Sequence, residues 1–146
     1  MLITGNWQLR DDGIVRPIMR VHVSGRDGIR IADNFLIDTE ADLTVFSAAL
    51  TARLHFDSEN VLPDSSLKGI GGLAKSVLIQ TVIELLQEDG RPVRIQGEFA
   101  AFTDPAATDL SILGRDVLDH FDLILSHRRD EILLLTSKHQ SQVIES

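Results

Sequence analysis

Three short segments carry the residue types from which a reaction could be built. The first is Phe35-Leu36-Ile37-Asp38-Thr39-Glu40-Ala41-Asp42, where an apolar run ends abruptly on a carboxylate. Apolar residues before Asp38 anchor the backbone, and polar Thr39 with small Ala41 suit a tightly packed loop. The second is Lys68-Gly69-Ile70-Gly71-Gly72, which holds three of the ten glycines around one apolar side chain. The third is Ile112-Leu113-Gly114-Arg115-Asp116-Val117-Leu118, an apolar stretch opening into charged residues. A lone strand-terminal aspartate more often caps a turn than does chemistry. The three segments, taken in order, point further than any one of them.

Read together, they resemble the retropepsins, the retroviral-type aspartic proteases. In that family an Asp-Thr/Ser-Gly-Ala-Asp loop carries the catalytic aspartate, a glycine-rich hairpin forms a flap, and an Ile-Leu-Gly-Arg-Asp/Asn segment opens the last helix. The resemblance spans about residues 18–135 and implies a mainly β, closed-barrel acid-protease fold with one short C-terminal helix. It implies that Asp38 is catalytic and that Thr39 hydrogen-bonds across a dimer axis. Ala41 stays small for substrate, and Asp42 and Arg115 form a bidentate pair bracing the loop. Gly69, Ile70, Gly71 and Gly72 are then the flap, with Ile70 closing over a bound peptide or protein substrate. Aspartic proteases use two carboxylates sharing one proton, one acting as base on water while the other donates to the scissile carbonyl. The chain carries one such loop, so the second aspartate must come from a symmetry mate, which makes a homodimer part of the mechanism.

The chain departs from the family pattern at Glu40, which stands where the family has glycine. A side chain there either crowds the cleft, adds negative charge beside a dyad that resists double ionisation, or points aside. Two functions follow: an aspartic endopeptidase, or a catalytically inactive dimeric peptide-binding module with the same fold.

The elements that must position these residues are legible from periodicity. Met19, Val21 and Val23 alternate with Arg20, His22 and Ser24 as in a strand, and residues 25–28 supply a turn. Phe35-Leu36-Ile37 and Leu43-Thr44-Val45-Phe46 read as strands flanking the Asp38 loop. Residues 77–86 fit both strand and helix spacing. Asp89-Gly90-Arg91-Pro92 reads as a turn into a strand over residues 93–101, and Val117, Leu118 and Phe121 fall at helical spacing behind Asp116. Leu123-Ile124-Leu125 and residues 132–135 read as a closing hairpin. A single domain over residues 1–136 with a polar tail at 137–146 is the expected organisation.

The rival readings are weaker. Residues 69–76 approach a phosphate-binding loop, but Ala74 replaces the glycine before Lys75 and no feeding strand precedes it. The same residues match a dinucleotide fingerprint only if alanine is allowed at its third glycine. His22, His55, His120, His127 and His139 are scattered without a metal-ligand spacing, so neither metal nor cofactor is expected. No Gly-x-Ser-x-Gly elbow occurs. Trp7, the one tryptophan, reads as a packing or dimer-contact residue.

Composition is consistent with this. The 146 residues are 43% hydrophobic and 25% charged, which suits one compact domain. With 14 Lys+Arg against 22 Asp+Glu, the formal charge of -8 repels phosphate backbones and anionic membranes, so nucleic acid is not an expected partner. Cysteine is absent, which removes disulfides, thiol nucleophiles and cysteine metal sites. No apolar run approaches the roughly 18 residues of a membrane span, and residues 1–10 lack a leader pattern, so the expected location is cytoplasmic.

Overall fold

The computed structural model describes residues 2–56, 61–63, 76–104 and 110–135. Ten strands and two short helices follow in chain order: β1 (Leu2–Leu9), β2 (Val15–Ser24), β3 (Arg30–Ile37), β4 (Val45–Phe46), α1 (Ala48–Leu54), β5 (Val61–Pro63), β6 (Ser76–Leu86), β7 (Pro92–Phe102), β8 (Ser111–Leu113), α2 (Arg115–Leu118), β9 (Asp122–Ser126) and β10 (Glu131–Leu135). The fold is mainly β, as the sequence implied. The segment of mixed periodicity is β6, eleven residues of strand, so the helix that a phosphate-binding loop requires is not there.

Six strands close on themselves in the order β6-β7-β4-β8-β3-β2, with β2 returning to β6 through His22 opposite Glu84 and Val23 opposite Ile83. Alternation sorts the side chains of this barrel. Met19, Val21 and Val23 of β2 and Ile79, Ile83 and Leu85 of β6 point inward and are buried, while Arg20, His22 and Glu84 share the outer face. Phe35, Phe46 and Phe99 fill the middle, with ring centroids 6.0 Å and 5.6 Å apart.

A second sheet grows from the barrel. The first half of β1 pairs with β10 and its second half with β2, the change of partner falling after Gly5. A Cβ at Gly5 would lie 2.6 Å from the Ile18 carbonyl oxygen, so only glycine lets β1 cross so closely. Trp7 pins the crossing: its indole N–H donates to the Glu131 carbonyl at 3.2 Å, and its ring meets His127 edge-on at 5.0 Å.

Helix α1 was not anticipated from periodicity. Its signals are local: Ser47 caps it by accepting the Leu50 amide, Ala48, Leu50 and Leu54 face the core, and His55 ends it at φ 55°. β1 also lay outside the strands read from sequence.

Candidate active-site loop

Asp38 follows the last residue of β3, and its position is set by parallel pairing of β3 with β8. Phe35, Leu36 and Ile37 lie beside Ser111, Ile112 and Leu113, and the Asp38 amide extends that ladder by donating to the Leu113 carbonyl at 3.1 Å. The chain then turns. The Ala41 amide donates to the Asp38 carbonyl at 3.3 Å, and the Glu40 amide donates to Asp38 Oδ1 at 3.0 Å. The second bond fixes the carboxylate in the bend, as an aspartate side chain commonly does when it accepts from the amide two residues on. Asp38 is half-buried, whereas Thr39 and Glu40 are exposed.

The Glu40 side chain therefore does not block the loop's internal bonding. What holds Asp38 is the Glu40 backbone N–H, a donor that glycine and glutamate supply equally.

The far side of the loop lies against the start of α2. The Arg115 amide donates to the Ala41 carbonyl at 2.9 Å and the Asp116 amide to the Asp42 carbonyl at 3.2 Å. Arg115 Nη2 donates to Asp42 Oδ1, so these two residues do meet, through a single N–H···O contact between side chains 50% and 78% exposed. An ion pair in that setting contributes little, since water screens it and two long side chains must be held still.

The buried brace is a different set of residues. Thr44 is fully buried. Asp116 Oδ1 accepts both the Thr44 amide at 2.9 Å and the Thr44 hydroxyl at 2.7 Å, and that hydroxyl accepts the Gly114 amide at 3.0 Å. Each bond joins the Asp38 loop to the Gly114 turn. Gly114 is required here because a Cβ would sit 2.5 Å from the carbonyl carbon and oxygen of Leu43. Next to it, the Ser47 amide donates to the buried Ser111 hydroxyl at 2.9 Å. Sequence reading gave Asp116 only a helix-dipole role and overlooked Thr44; a buried threonine within an otherwise apolar run was the available signal.

Gly69, Ile70, Gly71 and Gly72, expected as a flap, lie outside the described residues, as does the polar tail. Among the described residues no group of three or more His, Asp or Glu is arranged to hold a metal ion. Among them, too, no helix is long and apolar enough to cross a membrane.

A closed six-stranded barrel with an Asp-Thr-x-Ala-Asp loop at the end of a strand paired in parallel with β8 defines the retropepsin class. The model of the retroviral aspartyl protease family matches residues 14–126, and the chain belongs to that family. Among solved structures, a retropepsin-like aspartic protease from Rickettsia conorii aligns with a TM-score of 0.55 at 15% identity, over 92% of this chain and 88% of that one. The EIAV protease, solved with the inhibitor HBY-793, aligns at 27% identity and TM-score 0.48, over 71% and 86%. The retroviral protease-like domain of Ddi1 from Leishmania major aligns at 14% identity and TM-score 0.44, over 81% and 94%. No curated protein matches.

Proposed function

We propose that the chain is an aspartic endopeptidase that works as a homodimer, each subunit contributing one Asp38. The observation that carries this reading is the pose of Asp38: half-buried, its carboxylate held by the Glu40 amide, on a loop braced from below by Thr44 and Asp116. One such loop per chain supplies half of a carboxylate dyad. Two brought together on a twofold axis share a proton, so that one carboxylate draws a proton from water while the other donates to the scissile carbonyl. The reaction needs no metal or cofactor. Thr39, exposed beside Asp38, bonds across the axis in this reading, and the substrate is an extended, largely apolar peptide.

Dimerisation has further support at the sheet margin. Among the described residues β9 ends the strand order, and Ile124 and Leu125, on its opposite faces, are both 40% exposed. An edge strand of this kind pairs readily with another strand. Glu40 favours a second reading: two added carboxylates beside the dyad turn the same dimer into a peptide-binding module without cleavage.

A mixed peptide library incubated from pH 3 to 7 with the wild-type chain, Asp38→Asn and Glu40→Gly separates these. Cleavage by the wild type that vanishes in Asp38→Asn establishes the protease. Cleavage by Glu40→Gly alone assigns the silencing to that side chain. Absence of cleavage by both overturns the proposal in favour of the binding module.

A further inference from the structure

The outer face of the barrel at the β2–β6 seam gathers positive charge that the fold does not use up. Glu84, its side chain 12% exposed, is bracketed by two arginines: Arg30 Nη2 donates to Oε2 at 2.5 Å and Arg94 Nε to Oε1 at 2.7 Å. One guanidinium would suffice to neutralise one carboxylate. Each arginine spends one N–H here and keeps its remaining donors, and the two side chains stay 47% and 67% exposed. Arg20, on the same outer face, has no ion-pair or hydrogen-bond partner among the described residues. His22, directly opposite Glu84 across the seam, holds a buried Nδ1 with no partner. Two guanidiniums on one carboxylate leave one surplus positive charge, and Arg20 adds a second nearby on the same face, in a chain whose net charge is -8.

Arg30, Glu84 and Arg94 border an open cavity of about 480 Å³, lined also by Leu86, Gly90 and Pro92. Among the described residues Glu84 is the only acid in that lining. Asp89, in the adjoining turn, is already matched by Arg91 at 2.7 Å. Leu86, 41% exposed, forms an apolar wall with Pro92. The volume lies in the range of small-molecule sites, and the pairing of an apolar wall with fixed donors is what such sites use to orient a ligand.

We propose that this cavity binds a small phosphomonoester, its dianionic phosphoryl group held by Arg30 and Arg94 and its organic portion resting on Leu86 and Pro92. Glu84 is a positioning residue: it holds both guanidiniums at the wall of the cavity. Planar guanidinium donors suit phosphoryl oxygens, and two guanidiniums against one carboxylate leave the lining net positive. Arg20 adds long-range attraction without contact. The site stands at the opposite end of β3 from Asp38, on the order of 25 Å along the strand, so it is independent of the proposed cleft.

Calorimetric titration of the full chain with inorganic phosphate and with phenyl phosphate, at low ionic strength, tests this. Saturable binding of one anion per chain is expected, tighter for phenyl phosphate. Arg94→Gln is expected to weaken it about tenfold or more, the weight of one charge-assisted hydrogen bond. Arg20→Gln, which breaks no contact, is expected to weaken it severalfold with an unchanged urea midpoint, so a loss there cannot be laid to misfolding. No saturable binding of either anion, or binding that both variants leave unchanged, overturns the proposal.

Discussion

Replacing Thr44 by valine tests whether the buried brace, rather than the exposed ion pair, holds the Asp38 loop. The substitution keeps the shape of the side chain and removes one hydroxyl. That hydroxyl donates to Asp116 Oδ1 at 2.7 Å and accepts the Gly114 amide at 3.0 Å. Losing the first costs about 1.5–3 kcal/mol, the range for a hydrogen bond to a charged group. Losing the second strands a buried N–H, for about 1–3 kcal/mol more. Part is recovered because Asp116 still accepts the Thr44 amide, which puts the net loss at about 2–4 kcal/mol. With a urea m-value of about 1.5–2 kcal/mol/M, the unfolding midpoint falls by about 1–2.7 M. The matched control is Asp42→Asn, which removes the exposed pair with Arg115 and should cost less than about 1 kcal/mol. Both are measured at one fixed protein concentration, because any dimer makes apparent stability concentration-dependent. If Asp42→Asn costs as much as Thr44→Val, or Thr44→Val costs nothing, the assignment of the brace is wrong.

Two further outcomes are expected. Gly114→Ala should destabilise the fold by about 1–3 kcal/mol, the usual cost of overpacking, because the new methyl meets backbone of Leu43 at 2.5 Å rather than a movable side chain; a crystal structure in which residues 42–44 have not moved would refute it. The seam should also respond to acid in two stages, followed by urea unfolding across a pH series. Burial, reinforced by Arg30 and Arg20, lowers the His22 pKa below its ordinary 6.5, so the unfolded chain takes up a proton that the folded one resists, and stability declines as pH falls below 6.5. The hydrogen bond from Arg94, aided by the charge of Arg30, lowers the Glu84 pKa below its ordinary 4.5, so its contribution is present above 4.5 and is lost as pH falls further. His22→Gln should remove the first stage and leave the second; two unchanged stages in that variant would sink the argument.

How much of this was legible in the sequence varies by element. The Asp38 loop and the Gly114 turn were visible because both sit where an apolar run gives way to charge, and β2 because its alternation is regular over six residues. α1 was hidden by its length: seven residues give less than two turns of periodicity, and the true signals, a serine cap and a left-handed histidine, are not periodic at all. β6 could not be separated from a helix because apolar residues stand on both of its faces near its end, Ile83 and Leu85 in the core and Val82 and Leu86 on the outer face. The brace was missed for a different reason. Thr44 and Asp116 are 72 residues apart, and nothing local to either one names the other as partner.

That separation governs the order in which the molecule can assemble. The local hairpins β2–β3, β6–β7 and β9–β10 can each form from neighbouring chain, but β3–β8 and β4–β7 are parallel pairs whose closure must wait for long loops to be drawn in. The turn around Asp38 is closed locally by the Glu40 and Ala41 amides, but its anchors to the barrel are late contacts: the Leu113 carbonyl, the Gly114 turn and Asp116 all arrive on the chain after β7. During synthesis, a ribosome-bound chain that has emerged only through β7 holds most of the barrel's strands yet leaves the aspartate's loop without its anchor. The loop that carries the carboxylate is anchored to the barrel as one of the last events of folding, when residues 111–116 thread into place between β3 and β4.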